Sequence, residues 1–207
     1  MNSDMDTLKL QKYHRLDSLA DNTINSLGNA VKSKKMPLGN TTLTNNGLVR
    51  SYKPFLEYFI NDKPLSEQLD KIYNKKTTIL ENWVGALGAG NPKTDRIKVT
   101  QFLQRKVSDK EIRDVYPSSW TEDEFQWYLD KYREELENPE VLIYCCAECG
   151  DYDCGGIAVT IDQTENSVVW NIVGASDILK FEFDRNLYFG VFNKYLDQIS
   201  NDYSSIS

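Results

Sequence analysis

Apolar residues follow two rhythms along this chain. Near the start, Leu16, Leu19, Ala20, Ile24, Leu27 and Val31 recur every three or four residues in a polar background, which predicts an amphipathic helix over about residues 4–32. Pro37, Gly39 and a Thr/Asn cluster then predict an exposed linker over residues 34–46. Aromatic side chains gather from Tyr52 onward, and the main body begins there. Phe55–Ile60 is a β-prone run, Asn61-Asp62-Lys63-Pro64 reads as a turn, and Leu65, Leu69, Ile72 and Tyr73 return to helical spacing. Ile97 and Val99 alternate with polar neighbours, which predicts a strand over residues 96–100.

Two helix starts are written in side-chain chemistry. Ser108-Asp109-Lys110-Glu111 precedes Ile112 and Val115, and Thr121-Glu122-Asp123-Glu124 precedes Phe125, Tyr128, Leu129, Tyr132 and Leu136. In each, the hydroxyl can accept from a first-turn N–H while the glutamate reaches back to the cap, and the acids of the second oppose its positive helix end. Pro139 stops that helix. The C-terminal third switches to period two. Residues 141–146 form a continuous apolar run, expected as an interior strand, and Ile157, Val159, Ile161 and then Val168, Trp170, Ile172 alternate on either side of a turn at residues 162–166. Phe181 and Phe183 predict a fourth short strand. Tyr188, Val191, Phe192, Tyr195 and Ile199 predict a closing helix capped by Asp184. The fold class that results is α+β, an antiparallel C-terminal meander packed with several helices. Residues 1–51 are read as a helix and polar linker packed on or extending from the body, and residues 52–207 as a single α+β domain.

Composition sharpens this picture. With 207 residues, 40% hydrophobic and 12% aromatic, the chain has material for one core. A formal charge of −7 argues against nucleic acid as a partner. The acidity is local: residues 119–157 hold eleven acids against Lys131 and Arg133, a net −9, so the rest of the chain carries about +2. The first residues offer no apolar signal core, and the run at residues 83–90 is too short and Gly-rich to span a bilayer. A cytoplasmic protein with no membrane partner is expected, with its four cysteines held reduced.

The strongest chemical signal is the loop from Cys145 to Gly156. Cys146 and Cys149 have the spacing of a zinc knuckle or redox pair, with Cys154 nearby. A tetrahedral zinc site needs four ligands, yet a second C-x-x-C is missing and the single histidine, His14, lies in another segment. Cys145 and Cys146 are adjacent on a strand and point to opposite faces. A redox thiolate needs nearby cations, whereas Glu148, Asp151 and Asp153 raise thiol pKa values. The loop is therefore read as structural: Cys146, Cys149 and Cys154 fill a tight β-connection and Gly150, Gly155 and Gly156 supply unusual backbone angles. The glycines at 85, 88 and 90 lack the Lys-Ser/Thr of a phosphate loop and read as a turn. The aromatics Tyr13, Phe55, Tyr58 and Phe59 and those of the helices read as core. No catalytic residue, metal or cofactor is expected.

The run Cys146-Ala147-Glu148-Cys149-Gly150-Asp151-Tyr152-Asp153-Cys154-Gly155-Gly156, followed by a strand carrying Val169-Trp170, resembles an uncharacterised bacterial family with a C-x-x-C-G-D-x-x-C-G loop. The segment from Phe55 to Ser66 is similar to that family's early hairpin, where glycine is commoner than Asp62. The likeness covers about residues 52–200. Some members of that family are thought to be immunity proteins of polymorphic or contact-dependent toxin systems. The resemblance thus implies an inhibitor whose partner is a cognate toxin. Many such toxins are basic nucleases, so the expected partner-binding residues are the acids Glu122, Asp123, Glu124, Asp130, Glu134, Glu148, Asp151 and Asp153. A thiol oxidoreductase and a zinc-stabilised adaptor are the alternatives.

Overall fold

The period-two pattern of the C-terminal third closes into a sheet because each strand turns its apolar alternates to one side: Ile157 and Val159 are buried, and Val168, Trp170 and Ile172 are wholly so. The computed structural model describes residues 5–13, 42–43, 49–50, 54–73, 75, 78–115, 120–147, 155–173 and 178–204. Its strands are β1 (Leu8–Tyr13), β2 (Thr42–Leu43), β3 (Val49–Arg50), β4 (Phe55–Ile60), β5 (Lys63–Pro64), β6 (Trp83–Gly85), β7 (Glu140–Cys146), β8 (Gly156–Gln163), β9 (Ser167–Val173) and β10 (Ile178–Asp184). Its helices are α1 (Leu65–Ile72), α2 (Pro92–Phe102), α3 (Asp109–Arg113), α4 (Glu122–Glu137) and α5 (Arg185–Ser204). The class is α+β. A five-stranded antiparallel sheet runs β10-β9-β8-β7-β6, so β7 is an interior strand, and a second sheet runs β1-β4-β5.

The two larger sheets meet at both ends. Beyond β6, the Leu87 carbonyl accepts from Leu56 N of β4 at 2.8 Å. At the opposite edge Asp6 bridges in parallel to Phe183 of β10, its N–H donating to the Glu182 carbonyl and its carboxylate accepting from Glu182 N at 2.8 Å. The β1–β4 pair therefore runs from one edge of the five-stranded sheet to the other and covers edges that would otherwise present bare backbone. The enclosed core is aromatic: Tyr58, Tyr144, Trp170, Phe183, Tyr188 and Phe192 are fully buried. The polar tips are largely satisfied, since Trp170 Nε1 donates to the Tyr188 hydroxyl and that hydroxyl donates to the Phe102 carbonyl, each at 3.1 Å.

Two expectations are corrected here. Residues 8–13 are strand, not the first turns of a helix, because β1 pairs residue for residue with β4 from Leu8↔Ile60 to Tyr13↔Phe55; residues 14–32 lie outside the described residues. Residues 96–100 belong to helix α2. The Asn91 side chain caps it by accepting from Lys93 N at 3.0 Å, and Pro92 sits in its first turn. Ile97 faces one apolar cluster while Val99 and Phe102 face another, so burial on two sides of the helix imitates strand alternation.

Both predicted capping boxes form. Ser108 Oγ accepts from Glu111 N and Glu111 returns to Ser108 N, and Thr121 and Glu124 make the same exchange. Asp184 caps α5 by accepting from Asn186 N and Leu187 N, both at 2.9 Å. The 61–64 turn is a two-residue hairpin loop with positive φ at Asn61 (53°) and Asp62 (63°), residue types that tolerate that region. Lys9 pairs with Asp62 at 2.5 Å across this hairpin and β1.

The close approach of β6 to β4 requires glycine at position 85. A Cβ at Gly85 would lie 2.2 Å from the Leu56 carbonyl oxygen, whereas one at Gly90 would meet nothing within 4 Å. Gly85→Ala should lower stability by about 1–3 kcal/mol or more through this clash, and Gly90→Ala should be nearly neutral. Urea unfolding of both variants checks the pair, and equal stabilities would refute the close sheet-to-sheet contact.

Candidate functional site

The titratable groups furthest from ordinary behaviour are inside the fold. Glu57 of β4 is fully buried, and that burial pushes its pKa from 4.5 up to about 7 against the opposing pull of its hydrogen bonds. The Tyr144 hydroxyl of β7 donates to Oε1, as does Tyr58 N at 2.9 Å. Ser66, in the first turn of α1, also favours the ionised form through its backbone and side chain, while Oε2 has no partner at hydrogen-bonding geometry. Asp95 of α2 is similarly raised by burial, its Oδ2 accepting from the Tyr195 hydroxyl at 2.5 Å and from Gly88 N at 2.8 Å. Perturbed carboxyls often mark active sites. These two are 0% and 2% exposed, and each joins separate elements of the fold.

The cysteine loop is described only at its ends. Cys145, opposite Val84, is buried, and Cys146, opposite Trp83, is half-buried. Gly155 holds φ +86°, the unusual backbone angle expected of it. Glu148, Cys149, Gly150, Asp151, Asp153 and Cys154 lie outside the described residues, as does His14. Among the described residues no three His, Cys, Asp or Glu side chains gather as a metal site, and no helix is long and apolar enough to cross a membrane.

A cleft of about 550 Å³ opens between α2, α3 and α5. Lys93, Arg96 and Lys110 line it beside Glu111, Asp114 and Ile97. Glu111 is committed to the Ser108 cap and to Arg105, and these hold its pKa below the usual range. Ser200 of α5 also lines the cleft and donates to the Leu196 carbonyl at 2.8 Å.

The remaining candidate is the outer face of α4. Phe125 and Leu129 bury themselves against Ile97 and Ile112, with Tyr132 and Leu136 packed alongside. This fixes which side of the helix looks outward. Asp123, Trp127, Asp130, Glu134 and Glu137 follow at alternating spacings of four and three, a stripe opposite the buried one. All five are exposed. Of the expected partner-binding acids, α4 thus brings Asp123, Asp130 and Glu134 onto one face. Glu124 lies beside that face with its carboxylate held by Thr121, and Glu122 turns aside to pair with Arg113 at 2.8 Å. Arg133 pairs with Asp109 at 2.7 Å and stands 3.7 Å from Asp130, which offsets part of the charge.

Phe125 and Tyr132 pack in this cluster as expected, whereas Trp127 and Tyr128 correct the expectation that the helix aromatics are core. Trp127 is 63% exposed and Tyr128 37%. Tyr128 stacks on Trp120 with centroids 4.3 Å apart, and Trp127 meets Tyr128 edge-on at 4.7 Å. The signal for Trp127 was present in the sequence, because helical spacing puts it in register with Asp123 and Asp130 rather than with Phe125 and Leu129.

Two measurements follow. Because the folded pKa of Glu57 lies above its unfolded value, its contribution is full below about pH 4.5 and is lost as pH rises through about 7. Relative to Glu57→Gln, the wild type should lose roughly 3 kcal/mol between pH 4.5 and 8 in urea unfolding, and parallel pH profiles would contradict the assignment. Trp127→Ala should change stability by less than about 0.5 kcal/mol while Phe125→Ala costs about 3–5 kcal/mol, which thermal and urea unfolding will separate. No family model, curated protein or solved structure matches this chain, so its function is argued from this geometry.

Proposed function

We propose that this chain is an immunity protein, a cytoplasmic inhibitor that binds and neutralises a cognate bacterial toxin, with the outer face of α4 as its recognition surface and a basic domain of the toxin as its partner. The observation that carries the reading is the exposed stripe Asp123, Trp127, Asp130 and Glu134, opposite the side of the helix that packs on the body. Such an inhibitor needs no catalytic residue or cofactor. It needs a rigid surface of complementary charge, which speeds encounter with a basic protein, and aromatic anchors, which slow dissociation. A basic nuclease suits both requirements, since an acidic face competes with phosphate for the same cleft. The cysteine loop and early hairpin resemble an uncharacterised bacterial family, some of whose members are thought to be immunity proteins of polymorphic or contact-dependent toxin systems, and this points to the same class.

The test is whether a gene immediately upstream encodes a toxin and whether cells that express its product survive with this chain and die without it. Protection and co-purification are expected. The triple change Asp123→Lys, Asp130→Lys, Glu134→Lys should slow association about 10- to 100-fold at low salt, with the difference shrinking at high salt. An association rate unaffected by the triple change would remove α4 from the interface.

A further inference from the structure

The aromatic cluster on α4 has a geometry more specific than a hydrophobic patch. Trp120 and Tyr128 stack at an interplanar angle of 23°, and Trp127 stands across Tyr128 at 86°. Asp123 lies one turn before Trp127 and Asp130 one turn after it, both exposed. The exposed part of Trp127 is thus an aromatic surface set between two carboxylates. A planar cation that stacks on a ring while offering N–H groups to a carboxylate matches this arrangement better than a compact ammonium does.

The same helix already binds such a group within the molecule. The Arg113 guanidinium lies over the Phe125 ring at 3.9 Å from its centroid and donates to Glu122 at 2.8 Å. Ring and carboxylate there come from residues three apart on α4. Asp123 with Trp127, one turn apart, likewise sets a carboxylate beside a ring on the outward face; Asp130, on the other side of the ring, accepts from Gln126 Nε2 at 3.2 Å, stands 3.7 Å from Arg133 and stays exposed to a further donor.

Resting on the reading of α4 as the recognition face, we propose that the Trp127–Tyr128 shelf is an arginine-binding subsite, which seats a guanidinium of the basic partner on the exposed tryptophan between Asp123 and Asp130. The anchor would set specificity for arginine over lysine, while Glu134 and the other acids contribute charge without that choice.

The experiment uses the intact chain with two model probes, a nona-arginine and a nona-lysine peptide, titrated by calorimetry at low and at moderate salt. The arginine peptide is expected to bind about threefold to tenfold more tightly than the lysine peptide, with the preference kept as salt rises. Trp127→Ala should abolish that preference and leave lysine-peptide binding unchanged, and Trp127→Phe should retain part of it. Asp123→Asn with Asp130→Asn should weaken both peptides. Equal affinities, or a preference indifferent to Trp127→Ala, overturn the arginine subsite and leave the acidic face standing. Peptide binding that ignores the Asp123/Asp130 changes overturns the subsite and the acidic-face reading together.

Discussion

A carboxyl with no access to water sits where the two larger sheets meet. Glu57 comes from the three-stranded sheet, Tyr144 from the five-stranded one, and Ser66 from the first turn of α1. Burying such a group is costly unless its hydrogen bonds are made inside. Its partners are therefore fixed in direction, and with them the relative placement of β4, β7 and α1. Tyr58 follows in sequence and packs edge-on against Tyr144 and Trp170, so the aromatic core is arranged around the same point. Asp95 performs a comparable task on the helical side, tying the turn at Gly88 to α5 through Tyr195. The arrangement keeps Glu57 neutral more readily than an exposed glutamate, so this junction is one place where fold stability depends on pH.

The helical layer that carries α4 is built on different physics. It rests on a small apolar cluster of Ile97, Ile112, Phe125 and Leu129, separate from the main core and joined to it through α2. Its ion pairs are exposed, as in Arg113–Glu122 and Arg133–Asp109, and so orient side chains more than they stabilise. A helix held on one side by a few apolar residues leaves its opposite side available for a partner. The concentration of acids and exposed aromatics on that side, against perturbed carboxyls sealed in the interior, is why the functional reading favours recognition over catalysis.

Much of this was legible in the sequence, for a reason particular residues make clear. The boxes at Ser108 and Thr121, the Asp184 cap and the alternation through Val168, Trp170 and Ile172 all depend on neighbours within a few positions, and all formed as read. The failures came where a residue serves something distant. Ile97 and Val99 mimic a strand because two different clusters claim them. Leu8 to Tyr13 extend because β4, some fifty positions away, offers a complete antiparallel register. Trp127 was readable by helical spacing once the buried face of α4 was known.

Most local elements, the caps and turns that bound them, the α+β class and the concentration of acid in one segment were readable from residue order, because these follow from short-range backbone and side-chain chemistry. Tertiary structure alone decided that Glu57 meets Tyr144 across 87 positions and that Asp6 reaches Glu182 across 176. It also decided that Gly85 must have no side chain and that the acids of α4 share their face with an exposed tryptophan. Such contacts have no periodicity to announce them, since they arise only when packed layers bring remote backbone and polar groups within hydrogen-bonding distance.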